Sequence, residues 1–99
     1  MDPIDELLAL VIPTMPGDSF DSHAVIRQIS QYHQRAYVEL LAGAARAYPD
    51  VEHLFKQVHG QIGRRLKAQA AELGLSEGVE SRSPDMFGND QDCELYHRR

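Results

Sequence analysis

The sequence predicts a mostly helical α+β domain in which two long amphipathic helical segments pack across each other and a two-stranded hairpin closes the C-terminal end. Apolar residues recur at helical spacing through two stretches, 22–46 and 51–73, and that period vanishes after Gly74. Short alternating runs around Val79 and Cys93 replace it. The size agrees with a single domain over residues 1–99: a chain of 99 residues, 42% of them hydrophobic, buries only about 60 to 65% of its unfolded surface. One continuous core is all that such a chain sustains, which disfavours an enzyme that encloses a large substrate.

At the N-terminus, Ile4, Leu7, Leu8 and Val11 fall at i, i+3, i+4 and i+7 behind Pro3, a residue suited to a first helical position. This predicts a short helix over 3–11, ended by Pro13 and Pro16-Gly17. The helical core spans 20–74. Phe20 precedes an N-cap at Asp21 or Ser22 and can close over Val25 as a hydrophobic staple. From Ser22 to about Arg46 one helix is expected, with Val25, Ile26, Ile29, His33, Ala36, Tyr37, Leu40 and Ala44 within about 120° of one another.

Pro49-Asp50 supplies the next turn and cap. A second stripe follows through Val51, Leu54, Phe55, Val58, Ile62, Leu66 and Leu73. It is either one helix or two, because Gly60 and Gly63 each cost about 1 kcal/mol inside a helix and His59-Gly60-Gln61 can also form a turn. The hairpin occupies 78–97, with strands at Val79 to Arg82 and Asp92 to His97. Ser83-Pro84-Asp85 reads as the capped start of a single helical turn that Gly88 stops, with Met86 and Phe87 anchored inward. The expected core pairs Ile29, His33 and Leu40 with Leu54, Phe55, Val58, Ile62 and Leu66, His33 being buried, hydrogen-bonded and neutral. Tyr48 and Tyr96 are candidates for exposure at a protein contact, and Tyr32 and Tyr37 flank the stripe, where they seal its edges or, as the alternative, bury against a second copy in a homodimer.

Ten Lys and Arg against fifteen Asp and Glu give a formal charge of −5, which argues against indiscriminate adhesion to nucleic acid or membranes. The single cysteine, Cys93, has no partner for an intrachain disulfide and no companion for a zinc pair. An acidic start, Met-Asp-Pro-Ile-Asp-Glu, differs from a secretory signal, and Leu-Leu-Ala-Leu-Val-Ile is too short to cross a bilayer. A cytoplasmic protein without membrane attachment is therefore expected. His23, His33, His53, His59 and His97 never fall at the i, i+3 or i+4 spacing of two ligands on one helix. Asp85, Asp90, Asp92 and Glu94 lack the ordered spacing of a calcium loop, and no phosphate-binding glycine loop or catalytic signature is present. No cofactor, metal or catalytic residue is predicted.

The stretch from His53 to Ala71 holds four basic residues, Lys56, Arg64, Arg65 and Lys67, and no acidic one. On a helical projection Lys56, His53, Lys67 and Arg64 lie opposite the Val51/Val58/Ile62 stripe, with Gly60 and Gly63 among or beside them. Basic side chains beside bare backbone form a face that phosphates can approach closely. A merely solvated helix face is the competing reading.

Split at His59-Gly60-Gln61, the second segment has helix-turn-helix proportions, with Arg64, Arg65 and Lys67 near the start of its second helix; a strand, a turn and a strand follow. In that order residues 20–97 resemble a winged-helix DNA-binding domain, and the resemblance implies that this second helix meets DNA. The early strand that winged-helix proteins place between their first two helices is not evident, and the connection between the late strands is acidic where a phosphate-contacting wing is basic. Phe20-Asp21-Ser22-His23, Val58-His59, Phe87-Gly88 and Cys93 also resemble landmarks of small bacterial proteins that have no assigned chemistry, which implies a bacterial or mobile-element origin and no functional residue. The expected function is a small non-enzymatic binding module, a winged-helix-like accessory or regulatory protein using Lys56, Gly60, Gly63, Arg64, Arg65 and Lys67 against nucleic acid. The alternative is an acidic inhibitor, immunity protein or phage-encoded modulator that meets a basic protein partner.

Overall fold

In the computed structural model, which describes residues 2–99, the chain runs α1 (Pro3–Val11), a single 3-10 turn (Ile12–Thr14), β1 (Ser19–Asp21), α2 (Ser22–Tyr32), α3 (Gln34–Ala47), α4 (Leu54–Gln69), β2 (Val79–Pro84) and β3 (Asp90–His97). The fold is α+β and mostly helical, as the periodicity predicts. Helix α1 starts where its chemistry dictates: the Asp2 side chain accepts from the Ile4 N–H, Pro3 occupies the first turn, and Asp5 and Glu6 complement the helix's positive end. It buries Ile4, Leu7, Leu8 and Val11. Helix α2 starts on Asp21, whose carboxylate accepts from the Ala24 N–H at 2.8 Å.

The strands form one antiparallel sheet in the order β1-β3-β2, so the expected two-stranded hairpin is part of a three-stranded sheet. Strand β1 pairs Phe20 with Tyr96, and β2 pairs Ser81 with Cys93 and Glu80 with Glu94. Three residues are too few to show an alternating period, which is why β1 escapes a sequence reading; it forms because β3 offers it a partner edge. Phe20 thus sits in a strand, buried beside the Arg98 guanidinium, which lies 5.3 Å from the ring centroid. Arg98 also donates to the carbonyls of Gly17, Ile12 and Met15 and so clamps the end of the chain onto the α1–β1 connection.

The core forms where α1, α2, α4 and the sheet meet. Leu8, Val11, Val25, Ile29, Val58, Ile62, Leu66, Leu75 and Tyr96 are all fully buried there. Each such apolar side chain stabilises the fold by about 1.5 to 3 kcal/mol.

Several expectations are corrected. The stretch 22–46 is two helices, not one: the chain breaks at His33 (φ −131°, ψ 49°), and α3 leaves in a new direction that brings Tyr37 into the core. His33 is half-buried at that junction and not inside a continuous stripe. The second segment is one helix, α4, running unbroken through Gly60 and Gly63, so no helix-turn-helix break exists there. Backbone hydrogen bonding and the buried row Val58, Ile62 and Leu66 outweigh the propensity penalty of the glycines. Leu40 and Leu54 are half-buried, whereas Val51 precedes α4, which begins only at Leu54, and Phe55 in its first turn is 43% exposed and packs on Phe87 instead of the core.

Residues 85–88 form no helical turn. Instead the Asp85 carboxylate accepts from the N–H groups of Phe87 and Asn89, and Gly88 takes a φ of +83° that favours glycine. Met86 is half-buried, while Phe87 points outward with 56% exposure. Tyr96 is fully buried rather than exposed. Among the described residues no helix is long and apolar enough to cross a membrane.

Candidate functional site

The side of α4 turned away from the core does not face open solvent along its whole length. Together with the first turns of α2 and the β2–β3 hairpin it walls a cleft of about 950 Å³, near the upper end of the roughly 300 to 1,000 Å³ usual for ligand sites. Lys56, Gly60, Gly63, Arg64 and Lys67 all line it from α4, so the residues singled out by the helical projection converge on one concavity. Ser22, His23 and Ile26 contribute from α2, and Ser81, Arg82, Asp92, Cys93 and Glu94 from the hairpin.

Arg65 is the exception. One residue on from Arg64 it is rotated by about 100° around the helix. There it donates to Asp5 through Nε at 2.8 Å and Nη2 at 2.6 Å and approaches Asp2 at 3.9 Å. This fork tethers α4 to α1 and holds the Asp5 carboxyl below its ordinary value, first through the hydrogen bond that Arg65 donates. Arg65 is a fold residue, not a cleft residue.

The two glycines carry particular information. Each costs about 1 kcal/mol relative to alanine in a helix interior. A Cβ at Gly63 would meet nothing within 4 Å, and one at Gly60 would meet only the flexible end of Arg64, whose Nη1 lies at 3.2 Å. No packing contact requires either glycine. What they do is remove two side chains from the α4 wall between Lys56 and Lys67: Gly63 leaves the helix surface open to a ligand atom, and Gly60 makes room for the Arg64 guanidinium.

Charge is unevenly distributed across the cleft: α4 contributes cations, and the hairpin contributes carboxylates together with one cation, Arg82. Some of it is internally neutralised: Lys67 Nζ lies 3.3 Å from Glu94 Oε1, and Arg82 Nη1 lies 3.3 Å from Asp92 Oδ1. Asp85 is engaged by backbone N–H groups, which hold its carboxyl below the usual range, Asn89 contributing most and Phe87 further. Among the described residues no carboxylate lies within ion-pair distance of Lys56 or Arg64. An anionic group entering the cleft is therefore drawn to these two unpaired cations on the α4 side.

An aromatic column borders the cleft. Tyr37 and His59 are near-parallel (25°, centroids 5.8 Å apart), and so are His59 and Phe87 (21°, 6.4 Å). Phe55 meets Phe87 edge-on at 82° and 5.4 Å. The Tyr37 hydroxyl lies 2.6 Å from His59 Nε2 and 3.6 Å from Met86 Sδ. The His59 tautomer sets which of the two donates in the Tyr37–His59 hydrogen bond: a proton on Nε2 leaves the Tyr37 hydroxyl free to donate to Met86, and a proton on Nδ1 makes Nε2 the acceptor from Tyr37. Burial lowers the His59 pKa below its ordinary value; Asp85 opposes that shift and His23 adds to it.

A second hydrogen-bonded run joins His23 Nδ1 to Ser83 Oγ at 2.9 Å and Ser83 Oγ to Cys93 Sγ at 3.6 Å. It fixes the start of α2 to both strands of the hairpin, and the Glu94 N–H donating to Ser22 Oγ at 3.3 Å adds a second tie to β3. The sequence does not show that His23, His59 and Phe87 join the basic face in one cleft. The only sequence signal for them is that His23 opens a capped helix and Phe87 precedes a turn glycine, and neither tells which wall they join. Among the described residues no three His, Cys, Asp or Glu side chains are grouped to hold a metal ion. Comparison of the chain with known protein families, with curated proteins and with solved structures finds no match to any of them.

Proposed function

We propose that this chain is a non-enzymatic nucleic-acid-binding module whose ligand seats between α4 and the β2–β3 hairpin. The observation that carries the reading is the pair of unpaired cations, Lys56 and Arg64, flanking helix positions where glycine is used although no packing contact requires it. Phosphate oxygens gain charge-assisted contacts there and meet no side chain at Gly63. The order of elements supports the reading. A strand between the first two helices, β1, pairs with β3 in a β1-β3-β2 sheet, and α4 precedes the hairpin, as the recognition helix precedes the wing in winged-helix proteins. Helix α3 is an addition to that order. A reducing, cytoplasmic setting agrees with the lone Cys93.

Binding is weak and strongly salt-dependent, because the net charge of −5 opposes a polyanion while only the local field attracts it. Fluorescence anisotropy with labelled DNA across a salt series tests this. Since Lys67 is already paired with Glu94, the double variant Lys56→Ala/Arg64→Ala removes two phosphate contacts and reduces the magnitude of the log K against log salt slope by about 1.8 on duplex or about 1.4 on a single strand. No binding by the parent at low salt, or an unchanged slope in the folded variant, refutes the assignment. One feature favours a second reading, a basic protein partner. Strand β2 lies at the sheet's edge, and exposed Glu80, Asp90 and Asp92 cluster on the hairpin. Such a partner would be indifferent to Lys56 and Arg64 and sensitive to Asp90 and Asp92.

A further inference from the structure

We infer that the nucleic acid taken by this cleft is single-stranded and that one of its unpaired bases stacks on Phe87, an inference that rests on the nucleic-acid reading above. The aromatic column supplies the first ground. Tyr37, His59 and Phe87 follow one another with ring planes only 25° and 21° apart, and the outermost ring, Phe87, is 56% exposed. A near-parallel run of rings that ends in an exposed phenyl group offers a surface to another flat π-system. Base stacking on an aromatic side chain is the main sequence-tolerant contact of single-strand binders.

The platform is also fixed in place. Asp85 accepts from the Phe87 N–H at 2.9 Å and the Asn89 N–H at 3.0 Å, so the backbone that carries Phe87 is hydrogen-bonded on both sides of Gly88. Phe55 packs edge-on against the ring, and the Arg27 guanidinium holds the Pro84 carbonyl at 3.0 Å, tying the hairpin to α2. A stacking surface ordered before binding loses little entropy when it is occupied.

The shape of the cleft separates the two forms of DNA. Phe87, Gly60, Arg64 and Lys56 border the same concavity, so a strand whose base reaches Phe87 has its backbone beside the two unpaired cations. Their Cα positions are separated by about 12 Å along the helix axis, from eight residues at 1.5 Å each, and the Arg64 guanidinium reaches back over Gly60 toward Lys56. A duplex keeps its bases paired and offers no free π-face. To reach α4 it must also bring its second backbone against the hairpin side, where Glu80 and Asp85 have no cation within ion-pair distance among the described residues. A single strand avoids that repulsion and turns its bases toward the aromatic column.

The test uses the full chain, a short labelled single strand of mixed sequence, and the matching duplex, compared by anisotropy at low salt. The single strand should bind about tenfold more tightly than the duplex. Phe87→Ala should weaken single-strand binding roughly 5- to 150-fold, the range for loss of one stacked base, and leave duplex binding unchanged. Phe87→Leu, which keeps apolar bulk at the turn but has no ring face, should weaken it in the same way, with circular dichroism confirming the fold of both variants. Equal binding of both DNA forms, or single-strand binding by folded Phe87→Leu at the parent's affinity, overturns the inference while leaving the cleft assignment to the Lys56/Arg64 test. Absence of binding to either form by the parent overturns both.

Discussion

Replacing Gly63 by alanine sets fold and function against each other in a way that the structure quantifies. Gly63 lies in the interior of α4, where glycine is less favourable than alanine by about 0.8 to 1.0 kcal/mol. A Cβ built there meets nothing within 4 Å, so no clash offsets the gain. Gly63→Ala should therefore stabilise the domain by about 1 kcal/mol and raise its Tm by roughly 4 to 8 °C for a domain of this size. The new methyl group projects into the cleft between Lys56 and Lys67, so nucleic-acid affinity should fall although the protein is more stable. Gly78→Ala is the matched contrast: its Cβ would lie 2.9 Å from Cε1 of the fully buried Tyr96 ring, which has no space to retreat into. That overpacking should destabilise by about 1 to 3 kcal/mol. Far-UV circular dichroism melts of the parent and both variants, with anisotropy titrations for Gly63→Ala, measure these effects. A lower Tm for Gly63→Ala would show that the helix face is not open there. A higher Tm with unchanged affinity would show that the glycine serves no close approach.

Three further outcomes are expected. Tyr96→Phe should stabilise the domain by about 1 kcal/mol in urea titrations, because the Tyr96 hydroxyl is buried without a partner among the described residues. Burial pushes its pKa up to about 12 from an ordinary 10.0, so the parent loses stability as pH rises through that window, and the variant should not show this loss. For His59, burial lowers the folded pKa below 6.5, so the unfolded chain binds more protons between the two values. Its contribution is complete above 6.5 and is lost as pH falls through the folded pKa; His59→Gln should flatten that part of the stability profile measured by denaturant titration. Arg65→Gln should lower the melting temperature, more at low than at high salt, by releasing Asp5, whose ion-pair contribution is present above pH 3.8 and fades as pH falls below it. Anisotropy should show unchanged nucleic-acid binding, since Arg65 faces α1 and not the cleft.

Local chemistry was enough to determine much of this protein. Pro3 behind a capping Asp2, the repeat of Ile4, Leu7, Leu8 and Val11, the Asp21 cap, and the row Val58, Ile62 and Leu66 are all short-range patterns, and each forms the element its spacing dictates. Because the phase of α4 is set by that apolar row, the opposite face carrying Lys56, Gly60, Arg64 and Lys67 was legible as well. Only the tertiary structure decided the rest. Strand β1 is three residues long and owes its existence to a β3 edge more than seventy positions away. The break at His33 carries no glycine or proline and follows from where α3 must turn to bury Tyr37. Gly60 and Gly63 permit either a turn or a helix, and packing of the buried row made the choice. Phe87 lies at the exposed end of an aromatic column because His59, Tyr37 and Phe55 come to it from two other helices. Arg64 and Arg65 are adjacent basic residues with different roles because a helix turns neighbours by about 100°, one into a cleft and the other onto Asp5. Helical and strand periods reside within a few consecutive residues and survive in the sequence. The walls of a cleft come from segments far apart in the chain, and no local pattern encodes which of them will meet.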